Sequence, residues 1–227
     1  EEIAEAFLSN KETINKRLFR AKEKLRLEKI ELELPSEAEI IKRLDNVLHI
    51  IYLLFNEGYY SKTQNQILRR ELCVEGLRLA LMLSTYEKTN TPKTNVLIGL
   101  ICFHCSRFEA RLTNEGDFIL YEQQDEERWN QELIHQGFYF LNNAASGDEL
   151  TSYHLEAKIA QCHCIKEDSP KKWTEILQWY DRLLVVNYSP AAALNRIFAL
   201  YKVKGAKAAL AEVKTLQLAD NHFYFVL

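Results

Sequence analysis

The sequence predicts an all-α protein. Only 7 glycines and 4 prolines occur among 227 residues, and strand-rich proteins need more of both for their turns. Apolar residues recur every three or four positions through most of the chain, which is the period of a helix. No segment has the composition and alternation of a convincing β-strand. We therefore expect long helices joined by short links.

The first 30 residues are predicted to form a partial helix-turn-helix. Residues 2–8 have apolar side chains at helical spacing, and Ser9 and Asn10 interrupt this pattern. Asn10 is a good N-cap for a second helix, which is expected over residues 11–28. Two short amphipathic helices joined by a tight turn are typical of this motif. The second helix has one apolar stripe that is expected to face inward, consisting of Ile14, Leu18, Ala21 and Leu25.

Residues 36–145 follow a linker at 31–35 and are predicted to form the first part of a helical extension. Ser36 and Glu39 form a capping box, which opens a helix that is expected to end at Gly58. The rest of this part is predicted as a helix at 67–86, a helix that begins at Thr91-Pro92 and reaches about residue 112, a structured loop at 113–125 and a helix at 126–143.

Residues 146–227 are predicted to form stacked helical hairpins, because four helical patterns lie close together with Gly or Pro between them. The patterns cover residues 152–165, 172–187, 191–203 and 206–218. The chain begins with Glu rather than Met and stops within the pattern at HFYFVL. We therefore expect it to be a fragment of a longer protein.

Charge is unevenly spread along the chain. The net charge is −3, yet residues 11–29 hold eight Lys/Arg against three Glu. A basic helix on an acidic body indicates a phosphate-bearing partner at one place, and a solvated helix face is the alternative. A recognition helix would use its polar residues on base edges and phosphates. The residues predicted to contact DNA are Lys11, Thr13, Asn15, Lys16, Arg17, Arg20 and Lys24.

The remaining composition favours a cytoplasmic location. Five cysteines form an odd set without the spacing of a disulfide framework, which indicates a reducing compartment. No apolar run reaches the roughly 20 residues that a membrane helix needs, and no signal peptide is visible.

The run EEIAEAFLSNKETINKRLFRAKEKLR, residues 1–26, resembles region four of bacterial extracytoplasmic-function RNA polymerase sigma factors. Leu8 stands where that family usually has the glycine of the turn, so we expect a turn that is built differently. The matching residues are Glu1, Glu2, Ile3, Ala4, Glu5, Ala6, Thr13, Ile14, Arg17, Leu18, Arg20, Ala21, Lys22 and Leu25.

The rest of the chain is similar to the group of these sigma factors that carries a long helical, tetratricopeptide-like (TPR-like) C-terminal extension. YLLFNEGYYS at 52–61 resembles a signature of that group, and further matches continue in order as far as residue 205. In the last hairpins, Tyr180, Pro190, Ala199, Gly205 and Ala209 fit the tetratricopeptide pattern loosely.

This resemblance implies transcription initiation as an alternative sigma factor. The implied partners are core RNA polymerase and the −35 promoter element, which region four reads. The extension is expected to regulate activity through protein contacts, either within the chain or with another protein. Region two and the first part of region four are absent from this sequence, so we expect it to be incompetent for initiation alone. The alternative is a TPR-like protein-binding scaffold without direct DNA recognition.

Three other constellations have a functional and a structural interpretation each. The pairs Cys102/Cys105 and Cys162/Cys164, with a histidine beside each, could bind zinc, but their helical context favours buried thiols. Residues 56–60 could form a ligand pocket or cap a helix C-terminus. An acidic run could form a metal or acid–base site, open a helix, or bind the basic helix of the same chain; its members are Glu122, Asp125, Glu126 and Glu127.

No phosphate-binding glycine loop and no nucleophile with a neighbouring base occurs in the sequence. We therefore predict no enzymatic activity, no cofactor and no bound metal.

Overall fold

The all-α prediction is confirmed. The computed structural model describes residues 11–28, 35–59, 69–113, 117, 119–146 and 149–214, and no strand occurs in those segments. The first predicted helix of the helix-turn-helix, its turn and the end of the chain after residue 214 lie outside the described residues. The helices are α1 (Lys11–Leu27), α2 (Glu37–Tyr59), α3 (Arg70–Ser84), α4 (Pro92–Cys105), α5 (Phe108–Arg111), α6 (Gln131–Asn143), α7 (Ser152–Cys162), α8 (Pro170–Val186), α9 (Pro190–Lys204) and α10 (Ala206–Val213).

Helix starts follow the capping residues of the sequence. The Ser36 backbone N–H donates to Glu39 Oε2 at 3.0 Å, and the Glu39 N–H donates to Ser36 Oγ at 3.4 Å. This reciprocal pair confirms the predicted capping box at the start of α2. At α4, Thr91 Oγ1 accepts from the Thr94 N–H at 3.3 Å, with proline at the first helical position. Ser169 and Ser189 cap α8 and α9 in the same way, each followed by proline.

The helix predicted at 91–112 is interrupted at Ser106, which is a correction. The Ser106 carbonyl accepts the Asn130 N–H at 2.7 Å instead of an N–H four residues further along the helix. The Ser106 hydroxyl donates to the Phe103 carbonyl at 2.7 Å. The diverted carbonyl ends α4 at Cys105, and the short α5 follows with its own start at Phe108.

The helix predicted at 126–143 also begins later than expected. Residues Glu126–Arg128 form a 3-10 turn in which the Asp125 side chain accepts from the Glu127 N–H at 3.0 Å. The Asn130 side chain then accepts from the Leu133 N–H at 3.0 Å, which makes Asn130 the N-cap of α6. Further 3-10 turns occur at Tyr121–Gln123 and Ala144–Ser146.

Gly58 does not end α2 as a C-cap glycine, because the helix continues to Tyr59. Its lack of a side chain serves close packing instead. A Cβ atom at Gly58 would lie 2.7 Å from Cys73 Sγ and 2.9 Å from the Arg69 carbonyl oxygen. Gly58 therefore lets the end of α2 approach the start of α3.

Helix α4 is the centre of the core. Its side chains are buried on all sides from Thr94 to Phe103, as expected for a helix that is apolar all round. α3, α6 and α7 pack against it. The predicted boundary at residue 145 coincides with the 3-10 turn Ala144–Ser146, and the core continues across it, since Ala157 and Ala160 of α7 belong to the α4 cluster.

The last four helices, α7 to α10, each pack against the next one. Short connections join them, as is usual for neighbouring antiparallel helices. Gly205 has φ +80° and is the single residue between α9 and α10. Ala199 and Ala209 are buried between these helices. Helical hairpins are present here, and their likeness to tetratricopeptide repeats stays a prediction.

Candidate nucleic-acid interface

The polar side of α1 is open to solvent. Of the seven residues predicted to contact DNA, only Thr13 is half-buried. The six exposed ones are Lys11, Asn15, Lys16, Arg17, Arg20 and Lys24. Among the described residues, no helix packs extensively over them, so this side of α1 is open to a phosphate-bearing partner.

Three of the cations form a row along α1. Lys16, Arg20 and Lys24 are four residues apart, so they lie on one side of the helix over a rise of about 12 Å. Arg17 lies about 100° around the helix from Lys16. Within the described segments, no carboxylate is within ion-pair distance of Lys16, Arg17 or Arg20. Lys24 lies 3.7 Å from Glu28. Because both side chains are exposed, this ion pair contributes little to the stability of the fold.

The apolar stripe of α1 is covered only at its start, which corrects the prediction that all four residues face inward. Ile14 is 8% exposed, whereas Leu18 is 47% and Leu25 56% exposed. Ala21 is exposed as well. Helical spacing determines that these residues share a side, but burial also requires a covering element. No other described helix packs extensively on α1.

α1 carries more positive charge than the predicted contact set. Lys22 and Arg26 are also exposed, and Arg26 lies 3.4 Å from Glu23. Residues 11–28 together hold seven Lys/Arg and three Glu. The resulting local charge of +4 contrasts with the net charge of −3 for the whole chain.

The cysteine pairs are interior residues, in agreement with the structural interpretation. Cys102, Cys105 and Cys162 are buried and Cys164 is half-buried. Burial raises the pKa of the Cys102 thiol to about 12, so the thiol stays protonated. Burial also lowers the pKa of His104 to about 3, with Arg107 adding to the effect. In the described part of the chain, no group of three or more His, Cys, Asp or Glu could hold a metal ion.

The acidic run is partly engaged in local structure. Glu122 Oε1 accepts from Lys202 Nζ at 2.5 Å, and Asp125 caps the following 3-10 turn. Glu126 and Glu127 are exposed. Binding of the basic helix by this run stays a prediction.

The aromatic segment at residues 56–60 is part of the core rather than an open pocket. Tyr59 is fully buried, with the His104 ring 4.5 Å and the Arg111 guanidinium 4.2 Å from its ring centroid. Residue 60 lies outside the described residues. The aromatic residues tie the end of α2 to α4 and α5.

One feature of the structure was not predicted from the sequence. Arg107 and Lys172 are both buried. Arg107 precedes Tyr121 in the sequence and Lys172 follows it, yet both side chains lie against the Tyr121 ring. The available signal was Lys172 at the helical spacing of Ile176, on the apolar side of α8. A lysine at such a position is usually expected to extend into solvent.

The chain is similar in sequence to a family model and to a curated protein. A family model described as "Family of unknown function (DUF6596)" matches residues 43–145. An uncharacterized protein of Rhizobium meliloti (strain 1021) is 31% identical over 227 residues, covering 99% of this chain and 53% of that protein. The chain thus spans about half the length of the curated relative it matches. No solved structure matches the chain significantly.

The family match does not include the candidate interface on α1. It extends from within α2 to the 3-10 turn after α6, so α1 and the helices α7 to α10 lie outside it. The relative matches nearly the whole chain, α1 included. Among the described residues, no helix is both long and apolar enough to cross a membrane.

Proposed function

We propose that the chain is part of an alternative sigma factor that acts in transcription initiation in the cytoplasm. In this proposal α1 reads the −35 promoter element, and the partners are promoter DNA and core RNA polymerase. The observation that carries the proposal is the exposed row of cations on α1, within a sequence that resembles sigma region four.

α1 would act as the recognition helix of region four. Its N-terminal half would meet base edges, with Thr13 and Asn15 as hydrogen-bonding residues. Lys16, Arg20 and Lys24 would neutralise backbone phosphates along their 12 Å row, roughly the rise of two helical turns. Arg17 would contribute from the side of this row. Leu18 and Leu25 are about half-exposed and would dock on neighbouring helices in the whole protein, as the apolar stripe of a recognition helix does.

The activity is proposed for the whole protein rather than for this chain. The chain covers about half of its curated relative, and the resemblance assigns further sigma regions to sequence outside it. The helices after α1 would regulate the factor through protein contacts. Exposed apolar side chains on α2, including Ile50 and Leu53, support a role in such contacts.

The experiment that tests the proposal is a charge reversal on α1 with a matched control. The double variant Lys16→Glu/Arg20→Glu should lower the affinity of the whole protein for a −35 duplex by more than roughly 100-fold, because it replaces two phosphate contacts by repulsion. The measurement is fluorescence anisotropy of labelled duplex DNA.

The control variant Lys204→Glu/Lys207→Glu changes the net charge equally, at exposed positions of α9 and α10. It should bind DNA within roughly threefold of the unaltered protein at moderate salt, because exposed charges beyond a Debye length are largely screened. Equal losses in both variants would show that net charge, and not α1, governs binding, and would contradict the proposal.

The second candidate function is a protein-binding scaffold without DNA recognition. The successive packing of α7 to α10, with exposed Val185, Tyr188 and Tyr201, favours it. A scaffold predicts absent or salt-independent DNA binding. Run-off transcription with and without residues 36–227 would show whether these helices regulate transcription initiation or act independently of it.

A further inference from the structure

We infer that residues 222–227 (HFYFVL) of this chain dock on an exposed apolar patch at the end of α8, formed by Val185, Val186 and Tyr188. The segment and the patch are both apolar, and the course of α10 brings the chain toward the patch. The contact involves no residue of α1, so it is separate from the candidate DNA interface.

Three apolar side chains are exposed within four consecutive residues where α8 ends. Val185 is 87%, Val186 53% and Tyr188 63% exposed. Single exposed apolar residues are normal on a protein surface, whereas a group of them usually marks a contact surface. These exposed fractions mean that the described residues leave the patch uncovered.

Ion pairs of Arg196 in α9 determine the direction of α10. Arg196 Nη1 donates to Glu212 of α10, and Arg196 Nε lies 2.6 Å from Asp181 Oδ1 of α8. Gly205 alone joins α9 to α10. A contact between Arg196 before this glycine and Glu212 after it requires that the two helices are antiparallel. The end of α10 therefore points toward the start of α9.

The patch lies at the start of α9 as well. This helix begins at Pro190, and Tyr188 lies just before it in the short connection from α8. The rise along α9 between Arg196 and Pro190 is about 9 Å, and one helix is about 10 Å wide. Residues 214–221 can span up to roughly 26 Å when extended. Residues 222–227 are therefore within reach of the patch.

The end of this sequence has the composition of a segment that packs against other apolar residues. Residues 215–227 (TLQLADNHFYFVL) contain no Lys or Arg, and Asp220 is their one carboxylate. The last six residues are all aromatic or aliphatic except His222. Placing Phe223 and Phe225 against the patch removes apolar surface of both partners from water.

Docking within the chain is favoured over docking of a second copy. The short link after α10 keeps the segment near the patch, which corresponds to an effective concentration in the millimolar range. A separate molecule would also lose translational and rotational freedom when it binds. The segment therefore competes effectively with any other apolar partner for the same patch.

The patch is tested by a lysine substitution whose effect depends on whether the patch is covered. In an uncovered last turn of α8, Val185→Lys would be neutral or slightly stabilising, because a cation favours the C-terminal end of a helix. Under a docked apolar segment, it should lower the unfolding temperature by roughly 4 °C or more, because it buries a charge without a partner. An unchanged or higher unfolding temperature would overturn the proposal.

Met82 provides the matched control. It also lies in the last turn of a helix, α3, and is 56% exposed. Met82→Lys should leave the unfolding temperature within roughly 2 °C of that of the unaltered chain. An equal fall in both variants would show that a lysine at any helix end destabilises the chain, and would contradict the docking.

A double variant identifies the occupant of the patch. Phe225→Ser should lower the unfolding temperature as Val185→Lys does, since it removes an apolar side chain from the other side of the contact. The combined variant should lose no more than the more harmful single change, because both changes disrupt the same contact. Losses that add up would mean that the segment binds elsewhere, and the assigned patch would be wrong.

The dependence on protein concentration separates this contact from one between two copies. A contact within the chain predicts that the loss caused by Val185→Lys is the same at all protein concentrations. A loss that grows with concentration, together with a dimer in sedimentation that Val185→Lys removes, would assign the patch to a second copy and overturn the proposal. None of these measurements involves DNA, so their outcome is independent of the proposed sigma-factor function.

Discussion

Gly137 lies where α6 crosses α4, and its missing side chain permits that crossing. A Cβ atom there would lie 2.6 Å from Cε1 and 2.7 Å from Cδ1 of Phe103, whose ring is fully buried. Phe103 belongs to the buried core cluster around α4, so its ring cannot shift without displacing other core side chains. We expect Gly137→Ala to lower the free energy of unfolding by about 1–3 kcal/mol through overpacking, as measured by urea denaturation.

Gly76 in α3 provides the control for this prediction. A Cβ atom at Gly76 would have its nearest neighbour, Phe55 Cβ, at 3.5 Å, an ordinary contact distance. Because alanine favours the helix, Gly76→Ala should be neutral or stabilise by up to about 1 kcal/mol. If Gly137→Ala were as harmless as Gly76→Ala, the close crossing of α4 and α6 would be wrong.

Glu156 makes stability depend on pH near neutrality. Tyr52 Oη donates to Glu156 Oε2 at 2.9 Å, which joins α2 to α7, and the Tyr153 ring lies 5.0 Å from that of Tyr52. Burial raises the pKa of Glu156 to about 7. The folded state therefore holds a proton that the unfolded state releases near pH 4.5, and stability falls as pH rises from about 4.5 to 7.

Glu156→Gln should remove this pH dependence, because glutamine stays neutral. We expect a gain of roughly 1–3 kcal/mol over the unaltered protein at pH 8 and little difference at pH 4.5. Thermal unfolding across that pH range is the measurement. The same change at exposed Glu132 is the control and should leave the pH profile as it is. Identical profiles for Glu156→Gln and the unaltered protein would contradict the burial of this carboxyl.

At the residue scale, the sequence predicts best what depends on neighbours in the chain. Ser36, Glu39 and Thr91 bond to backbone groups three residues away, so their roles could be predicted from spacing. Gly58 and Arg107 depend on residues far along the chain. Gly58 fits against Cys73, and Arg107 lies against Tyr121. Nothing in the local pattern indicates these contacts.

At the element scale, α1 is an amphipathic helix whose apolar side is largely uncovered. Leu18 and Leu25 are about half-exposed. Replacing either with alanine should therefore lower the free energy of unfolding of this chain by less than about 1 kcal/mol. Leu48 of α2 is 1% exposed, and Leu48→Ala should cost about 2–5 kcal/mol. Urea unfolding followed by circular dichroism measures both.

A different outcome would change the description of α1. If Leu18→Ala or Leu25→Ala destabilised the chain as much as Leu48→Ala, the stripe would be buried in solution. The inward-facing stripe predicted from the sequence would then be correct after all.

The sequence predicts that the helices exist. It predicts where a helix begins or ends only where a local cap determines that position. Apolar periodicity continues through Ser106 and through residues 126–130, so it predicted single helices there. The structure breaks the first because the Asn130 N–H takes the Ser106 carbonyl, and it delays the second until the Asn130 cap. The first deviation comes from a contact between segments 24 residues apart, which periodicity cannot reveal. The second comes from a local cap inside a segment whose apolar spacing continues.

At the scale of the whole molecule, the exposed cations of α1 and the match to the family model lie in different parts of the chain. α1 carries the exposed cations, residues 43–145 match the family model, and α7 to α10 extend the core that α4 organises.

The salt dependence of DNA binding tests the central claim most directly. If the cations of α1 neutralise backbone phosphates, the logarithm of the affinity for a −35 duplex should fall linearly with the logarithm of salt concentration, with a slope of about −3 to −5. The measurement is an anisotropy titration of the whole protein between roughly 50 and 200 mM salt. A slope near zero, or no binding at the lowest salt, would contradict a promoter-reading role for α1.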